Sequence, residues 1–313
     1  MKRYRLTVCC FLWAAPMLIP RECAAKDSGS LCRYVATWGA KGSGVLEFLD
    51  PEALSAAPNG DLYVSDTGNH RIQRIHSDGE YAGSIGGFGW GNYQLNRPAG
   101  LTAANGLDVL VADQHNHRLV RYDKDLNFIS TFSSSNSWPV HLQFEFPRDV
   151  FLSRSGELFC LDSENRRILK LDVLGNPRLS FGGFDAGQGR LMNPQGLTVW
   201  QDRVYVTDLD PPRIVVFDTH GNYYRTIRAG TLVRPRGLAG FADTWLLAAD
   251  EASGVHIFDV FGNHIETFGQ SIGAVLEEAV DVICWRDRIY VLDRRRCAID
   301  IYQWSVPKER PIR

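Results

Sequence analysis

A chain of 313 residues, 44% hydrophobic and 22% charged, has the make-up of a soluble globular protein and excludes wholesale disorder. Its formal net charge is −2, and setting aside residues 1–25 leaves 30 Lys and Arg against 35 Asp and Glu, a net −5. That balance excludes long-range attraction to a phosphate backbone, so no nucleic-acid partner is expected.

Residues 1–25 begin with basic MKRYR, continue through the apolar run LTVCCFLWAAPMLIP and end at the small-residue site CAA, the layout of a secretory signal peptide. The run is shorter than the roughly 20 residues needed to span hydrocarbon and contains Pro16 and Pro20, so no permanent membrane anchor is expected. Cys23 follows Pro20, Arg21 and Glu22 instead of a lipoprotein box. The rest of the chain is expected to be secreted or periplasmic. It carries Cys32, Cys160, Cys284 and Cys297, which show no metal spacing and whose pairing is left open.

From residue 26 the chain repeats itself. DLYVSD ends at Asp66, LDVLVAD at Asp113, ELFCLD at Asp162, RVYVTD at Asp208, TWLLAAD at Asp250 and RIYVLD at Asp293, with spacings of 47, 49, 46, 42 and 43 residues. That period belongs to four-stranded propeller blades. In the first copy EALSAA, DLYVSD, RIQRI and AGSIG read as successive short strands. Turns such as PNGD, HSDGEY, DTHGNY and DVFGNH make them antiparallel hairpins. The last copy supplies only AVDVICW, RIYVLD and AIDIYQW before the polar tail of residues 305–313. RYVATWG at residues 33–39 supplies the missing fourth strand. The expected fold is therefore all-β, a six-bladed propeller over residues 26–304, closed by an N-terminal strand in its last blade.

Aspartate, then Asn-His-Arg or a variant, then an apolar strand recurs as SDTGNHRI, ADQHNHRL, LDSENRRI and, more loosely, TDLDPPRI. This pattern resembles the NHL repeat, and with the links GNYQLNRPAGL, GRLMNPQGL and VRPRGL it covers essentially all of the chain after residue 25. Copies five and six depart from it, with Gly254 and Ala298 at the arginine position. The resemblance implies a six-bladed β-propeller and says little about function, since the fold hosts many.

Asp66 with Arg71, Asp113 with Arg118, Asp162 with Arg167 and Asp208 with Arg213 flank tight hairpins. A catalytic group is needed once and a clip in every blade, so these pairs are expected to be structural. His70 and His117 stand at equivalent places in adjacent blades, too far apart to share a metal.

Strand order puts the Asn-His-Arg turns and the Pro-x-Gly links on one face. Residues just after those prolines should ring the channel: Glu52, Ala99 with Gly100, Arg148 with Asp149, Gln195, Arg236 and, by position, Asp281. Such a ring is either pore lining held by water and ion pairs or a ligand-recognition ring. The long links add Trp90, Tyr93, Trp138, His141 and Phe184, either as further candidate contacts or as aromatics that simply pack over the blade edges.

Propellers resembling NHL units that cleave hydroxyglycine peptides place zinc-binding histidines after such prolines, where this chain has Ala99, Arg148, Gln195 and Arg236. Gluconolactonase-like propellers use motifs such as EGPxW and RPNG, and here RPAG and RPRG lack the asparagine while EGP is absent. The leading expectation is a monomeric, non-enzymatic scaffold that binds a protein, peptide or glycan without a cofactor. The alternative is a metal-assisted lyase or lactonase holding calcium or zinc on Glu52, Asp149 and Asp281.

Overall fold

The computed structural model describes residues 30–153, 156–270 and 275–305. The expected signal peptide of residues 1–25 and all but Ser305 of the polar tail lie outside them.

Six four-stranded antiparallel sheets follow one another. Blade one comprises Ala53–Ala56, Leu62–Asp66, Arg71–Ile75 and Tyr81–Gly86. Blade two runs Pro98–Thr102, Asp108–Asp113, Arg118–Asp123 and Phe128–Ser133. Blade three runs Pro147–Leu152, Leu158–Asp162, Arg167–Leu171 and Pro177–Phe181. Blade four runs Pro194–Trp200, Arg203–Leu209, Pro212–Asp218 and Tyr223–Ile227. Blade five runs Pro235–Phe241, Trp245–Asp250, Gly254–Asp259 and His264–Phe268. Blade six takes Ala279–Trp285, Arg288–Asp293 and Ala298–Trp304 from the end of the chain, and Cys32–Trp38 pairs antiparallel with the last of these as its outer strand. The N-terminal closure read from the sequence is thus the one observed.

Alternation with period two explains the packing. In Asp108–Asp113, Val109 and Val111 join the core shared with blade one, while Leu110 and Ala112 join the core shared with blade three. Both faces of each middle strand are apolar because each is covered by a neighbouring blade. Every pair of adjacent blades shares one such core. The outer hairpins use one device: Asp218 Oδ1 accepts from the backbone N–H of His220 and of Asn222, each at 2.9 Å, and Gly221 takes φ +85°. A carboxylate and a left-handed glycine turn the chain there.

The innermost strands of successive blades lie side by side around the channel. One feature the repeat did not reveal is a short parallel pairing of Ala40–Lys41 with Glu47–Phe48 in the link into blade one. The four described cysteines are free thiols, with Cys32, Cys160 and Cys297 buried.

Candidate functional site

Each clip does more than close a hairpin. Arg71 Nε meets Asp66 Oδ2 at 2.7 Å, Arg118 meets Asp113 at 2.7 Å, Arg167 meets Asp162 at 3.1 Å and Arg213 meets Asp208 at 2.8 Å. The carboxylates are fully buried. Asp66 Oδ1 also accepts from Leu49 N at 2.7 Å, and Asp113 Oδ1 from Asn96 N at 2.7 Å, both in the link that enters the blade. The guanidinium then donates back into the same link, Arg71 to the carbonyls of Gly44 and Glu47, and Arg118 to those of Trp90, Gly91 and Gln94. Burial raises the Asp113 and Asp162 carboxyls above the usual range despite these bonds. The clip therefore ties each inter-blade link to its blade.

Blades five and six lack the arginine and replace it with amides. Asp250 accepts from the N–H groups of Val233, Arg234 and Ala252, and Asp293 from those of Glu277 and Arg296. His70 and His117 join neighbouring blades in another way. Arg97 N donates to His70 Nδ1 at 3.0 Å, His117 Nδ1 lies 2.7 Å from the Glu145 carbonyl, and the two rings meet Phe88 and Phe146 edge-on. Burial first, then the positive Arg97, lowers the His70 pKa, in keeping with an accepting Nδ1.

The residues expected around the channel do surround it: Glu52, Ala99, Gly100, Arg148, Asp149, Gln195, Arg236 and Asp281 line one constriction of about 30 Å³. At the mouth they bond to one another. Arg148 Nε donates to the Gln195 carbonyl at 3.1 Å and its Nη2 lies 3.4 Å from Glu52 Oε2. Glu52 Oε1 accepts from Arg294 Nη1 at 3.1 Å, and Arg294 Nη2 reaches Glu251 Oε1 and Glu278 Oε1, both at 2.9 Å. Glu251 Oε1 pairs with Arg236 Nη2 at 2.5 Å, and Arg236 Nη1 returns to the Gln195 side chain. The circuit is closed. At the ring position blade two has Ala99, which adds no polar side chain, but Arg97 of its link pairs at 2.7 Å with Asp50, whose Oδ1 stands 3.9 Å from Arg294 Nε.

Glu251, Glu278 and Arg294 were not singled out in the sequence. A signal existed: Glu251 and Arg294 directly follow the clip aspartates of blades five and six, the two copies that depart from the repeat. Glu251 is 5% exposed. Arg234 Nη2 stands 2.8 Å from its Oε2, a charge contact without hydrogen-bond alignment. Burial works against the Arg294 cation, but the Glu278 hydrogen bonds and the charges of Glu52 and Glu251 hold its pKa above the ordinary value. The Arg294 hydrogen bond lowers that of Glu278.

One position deeper, Asp149 and Asp281 stand in blades three and six, three blades apart in the ring. Asp149 Oδ1 accepts from Val150 N and Oδ2 from Leu197 N, both at 2.8 Å. Asp281 does the same with Val282 N at 2.8 Å and Leu54 N at 2.7 Å. Each carboxyl therefore staples its inner strand to that of the next blade. Glycine faces each of them: a Cβ on Gly100 would lie 2.1 Å from Asp149 Oδ1, and one on Gly237 1.9 Å from Asp281 Oδ1. Burial pushes the Asp149 carboxyl up to about 7 and that of Asp281 well above the usual range.

A carboxyl whose folded pKa exceeds its unfolded value contributes stability that is fully present below the unfolded value, about 4, and lost as pH rises through the folded one. Asp149 should thus make the fold less stable at pH 8 than at pH 5. In Asp149→Asn the same comparison by urea denaturation should show a shallower loss, and an unchanged slope would reject the assignment.

The alternative metal set fails on its own geometry. Both Glu52 oxygens face guanidinium groups, and every Asp149 and Asp281 oxygen already accepts a backbone N–H. Among the described residues no three His, Cys, Asp or Glu side chains are grouped to hold a metal ion. These residues do not fit a divalent cation.

The link aromatics divide. Trp90 is 63% exposed and Phe184 76%, joined on this face by Phe88 at 67% and Val140 at 81%. Tyr93 is also exposed, with its ring edge-on to Phe128. Trp138 takes the packing alternative: partly buried, it lies against the core between blades two and three beside Phe144. The SSSNSWPVH stretch is long enough to fold this ring back under the link. His141 is exposed, and its carbonyl accepts from Arg167 Nη1 at 2.7 Å.

The fold and its clips define a six-bladed β-propeller. The sequence profile of the NHL repeat matches residues 48–75 and 95–122, the entering links and first three strands of blades one and two. Blades one and two thus carry NHL repeats within a six-bladed propeller. No curated protein sequence matches it. Among solved structures it is similar to a catalytically inactive virginiamycin B lyase from Staphylococcus aureus with quinupristin, at 17% identity and TM-score 0.60 over 85% of this chain and 82% of that one. It is also similar to a gluconolactonase from Xanthomonas campestris, at 14% identity and TM-score 0.61 over 82% and 86%. A Bacteroides thetaiotaomicron protein of unknown function gives TM-score 0.64 at 15% identity over 86% and 76%. At such identities the likeness is one of fold.

Proposed function

We propose that this NHL-repeat propeller is an exported, monomeric, non-enzymatic scaffold that holds a protein, peptide or glycan partner on its clip face. One observation carries the reading. The charged side chains around the channel mouth are bonded into a closed circuit, while Phe88, Trp90, Val140 and Phe184 stand exposed on the surrounding links. A reaction centre needs groups held ready for substrate, and these are engaged with one another. An interface needs apolar and aromatic anchors on a rigid frame, and the links supply them. Arg190 over the Phe184 ring, 4.4 Å from its centroid, adds the cation-aromatic character frequent at such anchors.

The test is a peptide-array and glycan-array screen of the purified chain. A ligand found there should lose about tenfold or more in affinity with Trp90→Ala or Phe184→Ala, at unchanged Tm, because each removes an anchor worth more than about 1.4 kcal/mol. Turnover of a bound compound, or a ligand indifferent to both substitutions, would overturn the reading.

A further inference from the structure

Beneath the constriction, on the face opposite the clips, the channel widens into a cavity of about 710 Å³ lined by the inner strands of all six blades. That volume is within the range of small-molecule sites, and the cavity is independent of the clip-face reading. Its walls mix polar and apolar surface, and Phe151, Val199, Trp200 and Ile283 keep part of their surface uncovered among them. Trp200 is fixed there. Its Nε1 donates to the Ala242 carbonyl at 2.9 Å, and its ring lies so close over Gly240 that a Cβ would come within 2.2 Å of it.

The charge of this cavity is one-sided. Apart from Cys284, the ionisable groups among the described residues that line it are Asp149 and Asp281 at the inner end and Glu157, Asp202 and Asp243 toward the rim, with no Lys, Arg or His among these described residues. Glu157 is paired with Lys170 at 2.6 Å. Asp149 and Asp281 are engaged by backbone N–H groups and pushed toward their neutral forms by burial, so the negative charge rests on the rim, where Asp202 and Asp243 are exposed. Low-dielectric walls around like charges concentrate the potential and attract the opposite sign. Exposed aromatic surface further favours an organic cation over a hydrated metal ion.

We propose that this lower cavity binds a small organic cation, an amine on an apolar or aromatic body, with the body against Trp200, Phe151, Val199 and Ile283 and the charge on the acidic lining.

Three probes with one body and different charge test it by calorimetry on the whole folded chain: phenethylamine, phenethyl alcohol and phenylacetate. The amine should bind about tenfold or more tighter than the alcohol, and phenylacetate should not bind. The double variant Asp202→Asn with Asp243→Asn changes two exposed rim groups and should fold normally while narrowing the amine-to-alcohol ratio at least threefold. Val199→Trp, which fills the cavity, should abolish binding, provided its Tm shows a folded protein. Equal binding of amine and alcohol, no binding of the amine up to about 10 mM, or a ratio untouched by the rim variant would each overturn the proposal. None of these outcomes bears on the clip-face partner, whose anchors lie on the other side of the ring.

Discussion

Asp113→Ala is expected to cost about 3–5 kcal/mol of stability, because it removes one side of a buried ion pair and leaves the other charged. Arg118, 8% exposed, would keep its carbonyl partners Trp90, Gly91 and Gln94 but lose its only carboxylate. Asn96 N would lose its acceptor, and Asn116 Nδ2 would keep only the Gly89 carbonyl. For a propeller of this size such a loss should lower Tm by about 10 °C, read by calorimetry or urea denaturation. The whole link from blade one to blade two hangs on this carboxylate, so the variant should also loosen the loop that carries Trp90. A variant with unchanged Tm that lost a chemical activity would mean that the recurring aspartate is a reactive group and not a clip.

Arg294→Ala should be comparably severe, although it breaks no repeated motif. Arg294 contacts four carboxylates, those of Asp50, Glu52, Glu251 and Glu278, more than any other guanidinium among the described residues of the mouth circuit. Its removal leaves Glu251 buried with Arg236 and Arg234 alone to balance it, and leaves Glu52 with the longer 3.4 Å contact to Arg148. A loss of about 3 kcal/mol or more follows from the cost of uncompensated buried charge. Arg294→Lys should recover only part of it, since an ammonium cannot present the planar fork that serves several acceptors at once. Urea denaturation of the two variants side by side checks both statements.

The fold was legible because a propeller repeats itself. Six aspartates at a near-constant period, glycine and asparagine in equivalent turns, and strands apolar on both faces all point to one architecture. Even the closing strand could be placed, because three strands at one end of a sheet require a fourth from the other end. The site was legible as far as strand order reaches: Arg148, Asp149, Gln195 and Arg236 meet at the channel because the prolines before them hold equivalent places in the repeat, and Asp281 joins them from the same strand position without a proline.

What strand order cannot give is which polar side chains will satisfy one another. Glu251 and Arg294 sit where blades one to four have Thr67, Gln114, Ser163 and Leu209, so nothing in the repeat marked that position as charged. Likewise, the sequence left Trp138 of the long link SSSNSWPVH open between contact and packing, and its ring gains more beside Phe144 than from solvent.

The central claim is that the charged mouth of this propeller is spent on its own structure. A double-mutant cycle between Glu251 and Arg294, using Glu251→Gln, Arg294→Ala and the pair together in urea denaturation, measures this directly. The expected coupling is about 2 kcal/mol or more, with both single variants markedly destabilised. A coupling near zero, with both single variants as stable as the parent, would show that these groups are held free for a ligand or a reaction, and would contradict the account.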